Sequence, residues 1–357
     1  MCPSAVSTVL PKLIKKGLSV ILLGPPGVCK SSLVWQAAEE LHGKGKTTAS
    51  TVTREFNANG DYYREWRTLT LDAVDLRGIP YVEGSNGDSR TRWASPADLI
   101  PEDGSGVLCI EELPQASPTM QSALMEPLLD RTVCGKRIGD GWSIVATGNR
   151  AEDRAGARNM LTAVGSRVVI IEVDVNVDDW QTWARTEHIN PMIRSFIQYR
   201  PNLLHDFEPS RQLNADPRGW ERVSIVLEDD DIPKECLLEV VKGIVGEAAA
   251  SEMVAFLQLQ GNPLMDIKTL LSDPENAEIP HDNPSLTYAM CGAIAEHVRV
   301  TGKPSYAPAA KYIGRLQEEH AMYAMIECMA ATDNDDDFTD TPEATKWCVE
   351  NRDLFKS

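Results

Sequence analysis

Over the first 175 residues, short apolar runs alternate with stretches whose apolar residues recur every three or four positions. The runs at 18–23, 67–71, 107–110, 143–147 and 167–173 predict strands. Val107-Leu108-Cys109-Ile110 and Val168-Val169-Ile170-Ile171 are apolar at every position, which suits strands covered on both faces in a parallel α/β sheet. Between them, residues 31–41 place Leu33, Val34, Ala37, Ala38 and Leu41 on one side at helical spacing. Residues 119–129 do likewise with Met120, Ala123, Leu124 and Leu128, and Pro127 should end or kink that helix. Two stretches break the rhythm. Residues 76–100 are rich in Gly, Asn, Asp and Pro and contain a hairpin signal at 81–87; residues 129–142 read as a second hairpin. Long inserts in a regular scaffold favour contact with a substrate or partner.

From residue 177 onward the pattern is helical. Segments 180–186, 191–199 and 217–227 are short helical candidates, and 228–233 is a loop. Residues 233–260 form a further helical pair, with 248–259 strongly helix-forming. A linker at 271–284 precedes amphipathic helices near 285–300 and 308–331, an acidic mobile segment at 333–340 and a last helix near 343–355. The expected organisation is therefore an α/β unit at 1–175, a helical unit at 176–270 and a helical extension at 271–357.

Composition narrows the function classes. Of 357 residues, 42% are hydrophobic and 25% charged, as in a packed globular protein, so global disorder is excluded. The net charge of −18 weakens a nucleic-acid reading, because duplex binding requires a basic face, although a local basic pore could escape a whole-chain average. No apolar run approaches the ~18–20 residues of a membrane helix. Lys15-Lys16 followed by an apolar run imitates a signal peptide but enters a Gly-Pro loop without a cleavage site, which favours a buried strand. The eight cysteines include no Cys-x-x-Cys and no zinc spacing, as expected of a reduced, cytoplasmic protein. The six histidines form no ligand motif and no Ser-His-Asp arrangement is visible. The acidic runs at 229–231 and 333–337 lack the spacing of a calcium loop and read as solvated charge. Tyr62-Tyr63-Arg64-Glu65-Trp66-Arg67 could stack bases, but its position just before the second expected strand favours packing or subunit contact.

The sharpest motif follows the first strand. Gly24-Pro25-Pro26-Gly27-Val28-Cys29-Lys30-Ser31-Ser32 fits G-x-x-x-x-G-K-S/T except that Cys29 stands where the second spaced glycine belongs. A phosphate needs main-chain N–H groups curled around it and a helix N-terminus behind it. Lys30 would reach the β- and γ-phosphates of ATP, and Ser31 would hold Mg²⁺. A Cβ at position 29 strains the loop by about 1–2 kcal/mol if φ is positive. Three readings of Cys29 stand: tolerated drift, weakened nucleotide chemistry, or a redox-sensitive thiol near the phosphates. About eighty residues later, Gly106-Val107-Leu108-Cys109-Ile110-Glu111-Glu112 is an apolar strand ending in two carboxylates. In a P-loop enzyme the first supports the Mg²⁺ shell and the second polarises the attacking water.

With these motifs in hand, the chain resembles the MoxR branch of the AAA+ ATPases from about residue 18 to 220. The carrying stretches are GPPGVCKSS (24–32), LDAVDLRGIPY (71–81), TRWASPADLIP (91–101), GVLCIEELPQA (106–116), VATGNRAEDRAG (145–156), SRVVIIEV (166–173) and DPRGWERVS (216–224). The resemblance implies an αβα P-loop core with a five-stranded parallel sheet, a small helical lid, and a homo-oligomeric ring, usually of six subunits. It implies that Asn149 is sensor 1, orienting the lytic water, that Arg218 is the lid's sensor 2, and that Arg167 is the arginine finger reaching the neighbour's nucleotide. Arg154 and Arg158 are rivals for that finger. It further implies a protein client with a von Willebrand A-type domain, to be remodelled or activated.

Two departures matter. The usual Asp-Glu pair is Glu111-Glu112, and the extra methylene of Glu111 displaces its carboxylate where Mg²⁺ tolerates little misplacement. Together with Cys29 this leaves open a slow ATPase or a nucleotide-stabilised assembly module that does not hydrolyse. A nucleic-acid motor or loader rests on AAA+ kinship alone.

Overall fold

Odd and even positions of the strands serve different cores. Val20 and Leu22, Val107 and Cys109, and Val145 lie in one buried cluster, while Ile21, Leu108, Ile110, Ile144 and Ala146 lie in another. That alternation is what a parallel sheet covered on both faces requires. The computed structural model describes residues 1–43, 62–84, 88–94, 100–153, 168–228, 232–280, 282–332 and 335–353, which fall into two compact units, Met1–Asn176 and Val177–Ser357.

The strands of the first unit are β1 (Val20–Leu23), β2 (Tyr63–Arg67), β3 (Ile79–Glu83), β4 (Arg90–Ala94), β5 (Ser105–Glu111), β6 (Thr132–Val133), β7 (Lys136–Arg137), β8 (Gly141–Gly148) and β9 (Val169–Glu172). Five of them form one sheet in the order β2-β5-β8-β1-β9, every neighbouring pair parallel. The expected α/β core with a five-stranded parallel sheet is thus observed. The helix α2 (Lys30–His42) packs on the face of Val20 and Leu22, together with α1 (Pro3–Lys15), which the sequence pattern did not disclose. The opposite face is covered by α4 (Pro118–Asp130), which follows the short α3 (Ala73–Arg77).

Two expectations in this unit need correction. The second strand is not 67–71 but β2, so the aromatic stretch is the strand itself; Trp66 is buried in the core, which is the packing reading of that stretch. Pro127 does not end its helix, which continues to Asp130. Its missing N–H removes one bond near the helix end, and burial of Pro127 and Leu128 offsets that loss. The expected hairpins form as β3–β4 and β6–β7, the latter turning at Cys134-Gly135; residues 85–87 of the first lie outside the described residues.

The second unit is helical, and its helices begin in a recurrent way. Asn190-Pro191, Asp216-Pro217, Asn283-Pro284 and Thr341-Pro342 each put a capping side chain before a proline. The side-chain oxygens of these residues accept from the main-chain N–H of Met192, Gly219, Leu286 and Ala344 respectively, and proline's fixed φ suits the first helical position. The helices are α5 (Val177–Thr186), α6 (Pro191–Tyr199), α7 (Pro217–Glu228), α8 (Lys234–Val245), α9 (Glu247–Gln258), α10 (Ile267–Ser272), α11 (Pro284–Thr301), α12 (Tyr306–Ile313), α13 (Glu318–Ala330), α14 (Asp335–Thr339) and α15 (Pro342–Glu350). The single helix expected at 308–331 is two, α12 and α13, divided at Gly314. The acidic segment is not a mobile tail throughout, because Phe338 of α14 is fully buried against Tyr306. Residues 229–231 and 333–334 of the acidic runs lie outside the described residues. Phe196 anchors the unit, 5.4 Å from the Trp220 ring and 5.5 Å from that of Phe256. Among the described residues no helix is long and apolar enough to cross a membrane.

Candidate functional site

In an open α/β sheet, ligands bind beyond the carboxyl ends of the strands where the strand order reverses. Here β1 lies between β8 and β9, and the candidate phosphate loop, residues 24–32, leaves its carboxyl end. Gly24 starts the loop with its N–H donating to the Gly148 carbonyl at 3.2 Å. A Cβ on Gly24 would stand 2.3 Å from the Val173 carbonyl oxygen, so that entry is closed to any larger residue. Gly27 turns the chain with φ +80°, and Val28 anchors the loop in the core. Cys29 precedes α2 in the left-handed conformation, φ +54° and ψ +24°. The condition for strain at this non-glycine residue is therefore met. Its side chain is exposed.

The loop then delivers Lys30. Its ammonium donates to the carbonyls of Gly24 and Pro25, each at 2.8 Å, and to Asn149 Oδ1 at 3.0 Å. Asn149 directly follows β8, so the strand order unites two residues 119 positions apart. A second bracket fixes the segment after Asn149. Arg150 donates to Asp153 Oδ2 at 3.2 Å and to Asp174 Oδ1 at 3.3 Å, tying this loop to the chain leaving β9.

The two candidate carboxylates adjoin β8 on its other side. Glu111 ends β5 and is mostly buried, with Oε2 3.9 Å from Arg67 Nε. Arg67 also pairs with Glu65 two positions earlier on β2. Burial pushes the Glu65 carboxyl up from its ordinary value, the bond from Arg67 pulls it back, and the adjacent Glu111 adds to the rise. Glu111 thus belongs to a cluster of two carboxyls and one guanidinium. Glu112 differs: its φ of +60° is left-handed, and its side chain is exposed. The Glu112 carbonyl accepts from Thr68 Oγ1 at 2.9 Å and from the Gln115 main-chain N–H at 3.0 Å. A non-glycine residue held in that conformation costs about 1–3 kcal/mol and persists where surrounding bonds over-determine it.

The donor set suits a polyphosphate. A curled loop, the N-terminus of α2 and a lysine ammonium are the groups that bind phosphate oxygens. Mg²⁺ is usually held by one or two protein ligands plus phosphates and waters, which Ser31 and Glu111 could supply. Among the described residues no cluster of three or more His, Cys, Asp or Glu forms a metal cage of its own.

Arg154, Arg158 and Arg167 lie outside the described residues. Arg218 is in the second unit, exposed at the second position of α7, beside Gly219 and the fully buried Trp220. Thr68 and Gln115 were not anticipated. Both act on the main-chain carbonyl of Glu112, a contact that no local sequence pattern signals.

Residues 19–168 match the family model of the AAA domain, dynein-related subfamily. A comparison with curated protein sequences finds no match. Solved structures similar to this chain include a RuvB variant of Thermotoga maritima (14% identity, 76% of each chain covered, TM-score 0.36). A DNA polymerase III gamma subunit-related protein of Thermotoga maritima is similar at 12% identity, with 91% of this chain and 99% of that chain covered and a TM-score of 0.39. NtrX of Brucella abortus in complex with ADP is similar at 12% identity, with 99% of this chain and 67% of that chain covered and a TM-score of 0.37.

Proposed function

We propose that this chain, whose residues 19–168 match an AAA domain, is a Mg²⁺-dependent ATPase that works as a MoxR-like ring and remodels or activates a protein partner. The observation that carries the reading is the meeting of Lys30 with Asn149 at 3.0 Å over a phosphate-type loop. In the mechanism, the loop amides and Lys30 bind the β- and γ-phosphates, and Ser31 with Glu111 hold the metal. Mg²⁺, when bound, neutralises charge on the β- and γ-phosphate oxygens. Glu112, thrown outward by its left-handed turn, polarises the attacking water, and Asn149 orients it. Arg218 senses the γ-phosphate from the helical unit, and an arginine of the neighbouring subunit, Arg167 or its rivals Arg154 and Arg158, stabilises transition-state charge.

Ring assembly, the partner and its von Willebrand A-type domain rest on the resemblance of the motifs. The hairpin β3–β4 supports partner contact: Ile79, Tyr81, Val82 and Trp93 are all exposed on it. The charge of −18 argues against a nucleic-acid motor or loader. Titration with ATP and Mg²⁺ by calorimetry, followed by steady-state phosphate release, tests the reading; absence of both heat and turnover overturns it.

A second reading has its own observation. Cys29 occupies a left-handed position, and Glu111 lies within ion-pair distance of Arg67. Both weaken phosphoryl transfer more than binding, which supports a nucleotide-stabilised assembly module. Binding and oligomerisation without phosphate release would select it.

A further inference from the structure

The turn after Glu112 brings a side chain into contact with both halves of the proposed hydrolytic apparatus. Residues Leu113–Gln115 form one 3₁₀ turn. With its amide oriented to satisfy both ends, Gln115 donates to the Glu112 carbonyl at 3.2 Å. Its oxygen accepts from the Asn149 main-chain N–H at 3.2 Å and from Asn149 Nδ2 at 2.9 Å.

That arrangement agrees with the way Asn149 faces Lys30. An asparagine amide can present either its oxygen or its nitrogen to a neighbour. Lys30 is donor-only and takes Oδ1, while Nδ2 donates to Gln115, so the two contacts hold the Asn149 amide in the same orientation from opposite ends. The oxygen is the atom needed to accept a hydrogen bond from a water beside the γ-phosphate and so orient it. Gln115 meanwhile adds a donor to the carbonyl of the strained Glu112, beside those from Thr68 and from its own main chain.

The turn is built to reach Asn149. A Cβ on Gly148 would lie 2.1 Å from Pro114 Cδ, so the glycine before Asn149 is what lets the turn lie against β8. From the other side, the buried Gln121 of α4 donates to the carbonyls of Pro114 and Ala116, each at 3.2 Å. The residues flanking Gln115 are therefore fixed by a neighbouring helix and by a missing side chain.

The geometry points to Gln115 as a positioning residue that couples the Glu112 turn to the orientation of the Asn149 amide. The inference deepens the ATPase reading and rests on it for its effect on rate. The link between Gln115 and Asn149 stands independently of turnover.

The test compares the full-length protein with Gln115→Met, which keeps length but makes neither bond, and Gln115→Glu, which keeps the acceptor toward Asn149. Hydrogen exchange of the main-chain amide of Asn149, without nucleotide, should speed up in Q115M and remain near wild type in Q115E. For turnover, Q115M should lower kcat by about tenfold, the rate equivalent of one net hydrogen bond, with KM and ADP affinity within about twofold. Q115E should recover part of that loss, and Q115M should add little to Asn149→Ala. Wild-type turnover together with wild-type exchange at Asn149 in Q115M overturns the proposal. A wild-type protein that binds ATP and releases no phosphate removes the hydrolysis reading instead; the exchange measurement then decides the Gln115–Asn149 link.

Discussion

Lys30 and Asn149 share a hydrogen bond of 3.0 Å, and the Lys30 ammonium also donates to two carbonyls of its own loop. A bound triphosphate has to exchange these protein acceptors for phosphate oxygens, a gain in charge assistance that only a cation can make. Lys30→Ala is therefore expected to weaken ATP affinity by about a hundredfold or more, at roughly 1.4 kcal/mol per factor of ten. Thermal stabilisation by ATP and Mg²⁺ is the readout. An undiminished shift in K30A would remove the loop from nucleotide binding.

Glu112 presents its carboxylate from a left-handed turn, exposed to solvent, while Glu111 is mostly buried beside Arg67. The two carboxylates accordingly have separable effects. Glu112→Gln should leave the affinity for ATP near wild type and stop turnover, because an amide oxygen is a poor proton acceptor. Calorimetry and phosphate release on the same preparation measure both. Hydrolysis retained in E112Q would refute its role.

Cys29 and Glu111 carry the opposite expectation, a gain. With φ at +54°, Cys29→Gly relieves left-handed strain of about 1 kcal/mol, so both stability and the geometry of the loop amides should improve. Glu111→Asp shortens the carboxylate that lies 3.9 Å from Arg67 and restores the commoner reach toward Mg²⁺. The paired variant should turn over faster than wild type at saturating ATP and Mg²⁺. An unchanged rate would mean that neither departure limits the chemistry.

What the sequence disclosed follows from the range of the interactions involved. The candidate phosphate loop is a contiguous motif between a strand and a helix, and it lies at the carboxyl end of β1 as expected. The doubly covered strands were legible because Val107–Ile110 is apolar at every position. The strand at β2, at the sheet edge, is not legible as apolar alternation because Arg64, Glu65 and Arg67 disguise it: three of its five residues are charged, around the buried Trp66. The role of Gln115 was invisible for another reason. It depends on a missing Cβ at Gly148 and on a partner at Asn149, and neither contact has a local sequence signature. Of the end or kink expected at Pro127, the end is overturned: the helix runs on to Asp130, with the proline ring buried in the core.

The second unit contains a charge whose removal should be costly. Glu327 of α13 is fully buried and accepts from Arg185 Nε at 2.8 Å and Arg194 Nε at 2.7 Å. Arg194 is itself buried, and its guanidinium also donates to the Ile189 carbonyl at 2.9 Å. Three helices, α5, α6 and α13, are thus joined through one carboxylate. Glu327→Leu leaves two guanidinium groups without their anion, a loss of about 3–5 kcal/mol for a broken buried pair. For a unit of this size that corresponds to a fall in melting temperature of roughly 10 °C. The triple replacement of Glu327, Arg185 and Arg194 by apolar residues of similar volume should recover most of it, since a well-packed apolar substitute is often neutral. Added salt should change the difference little, because a buried pair is weakly screened. A melting temperature for E327L within a degree or two of wild type, or one that converges with wild type as salt rises, would show that the pair is solvated in solution and does not hold the helices together.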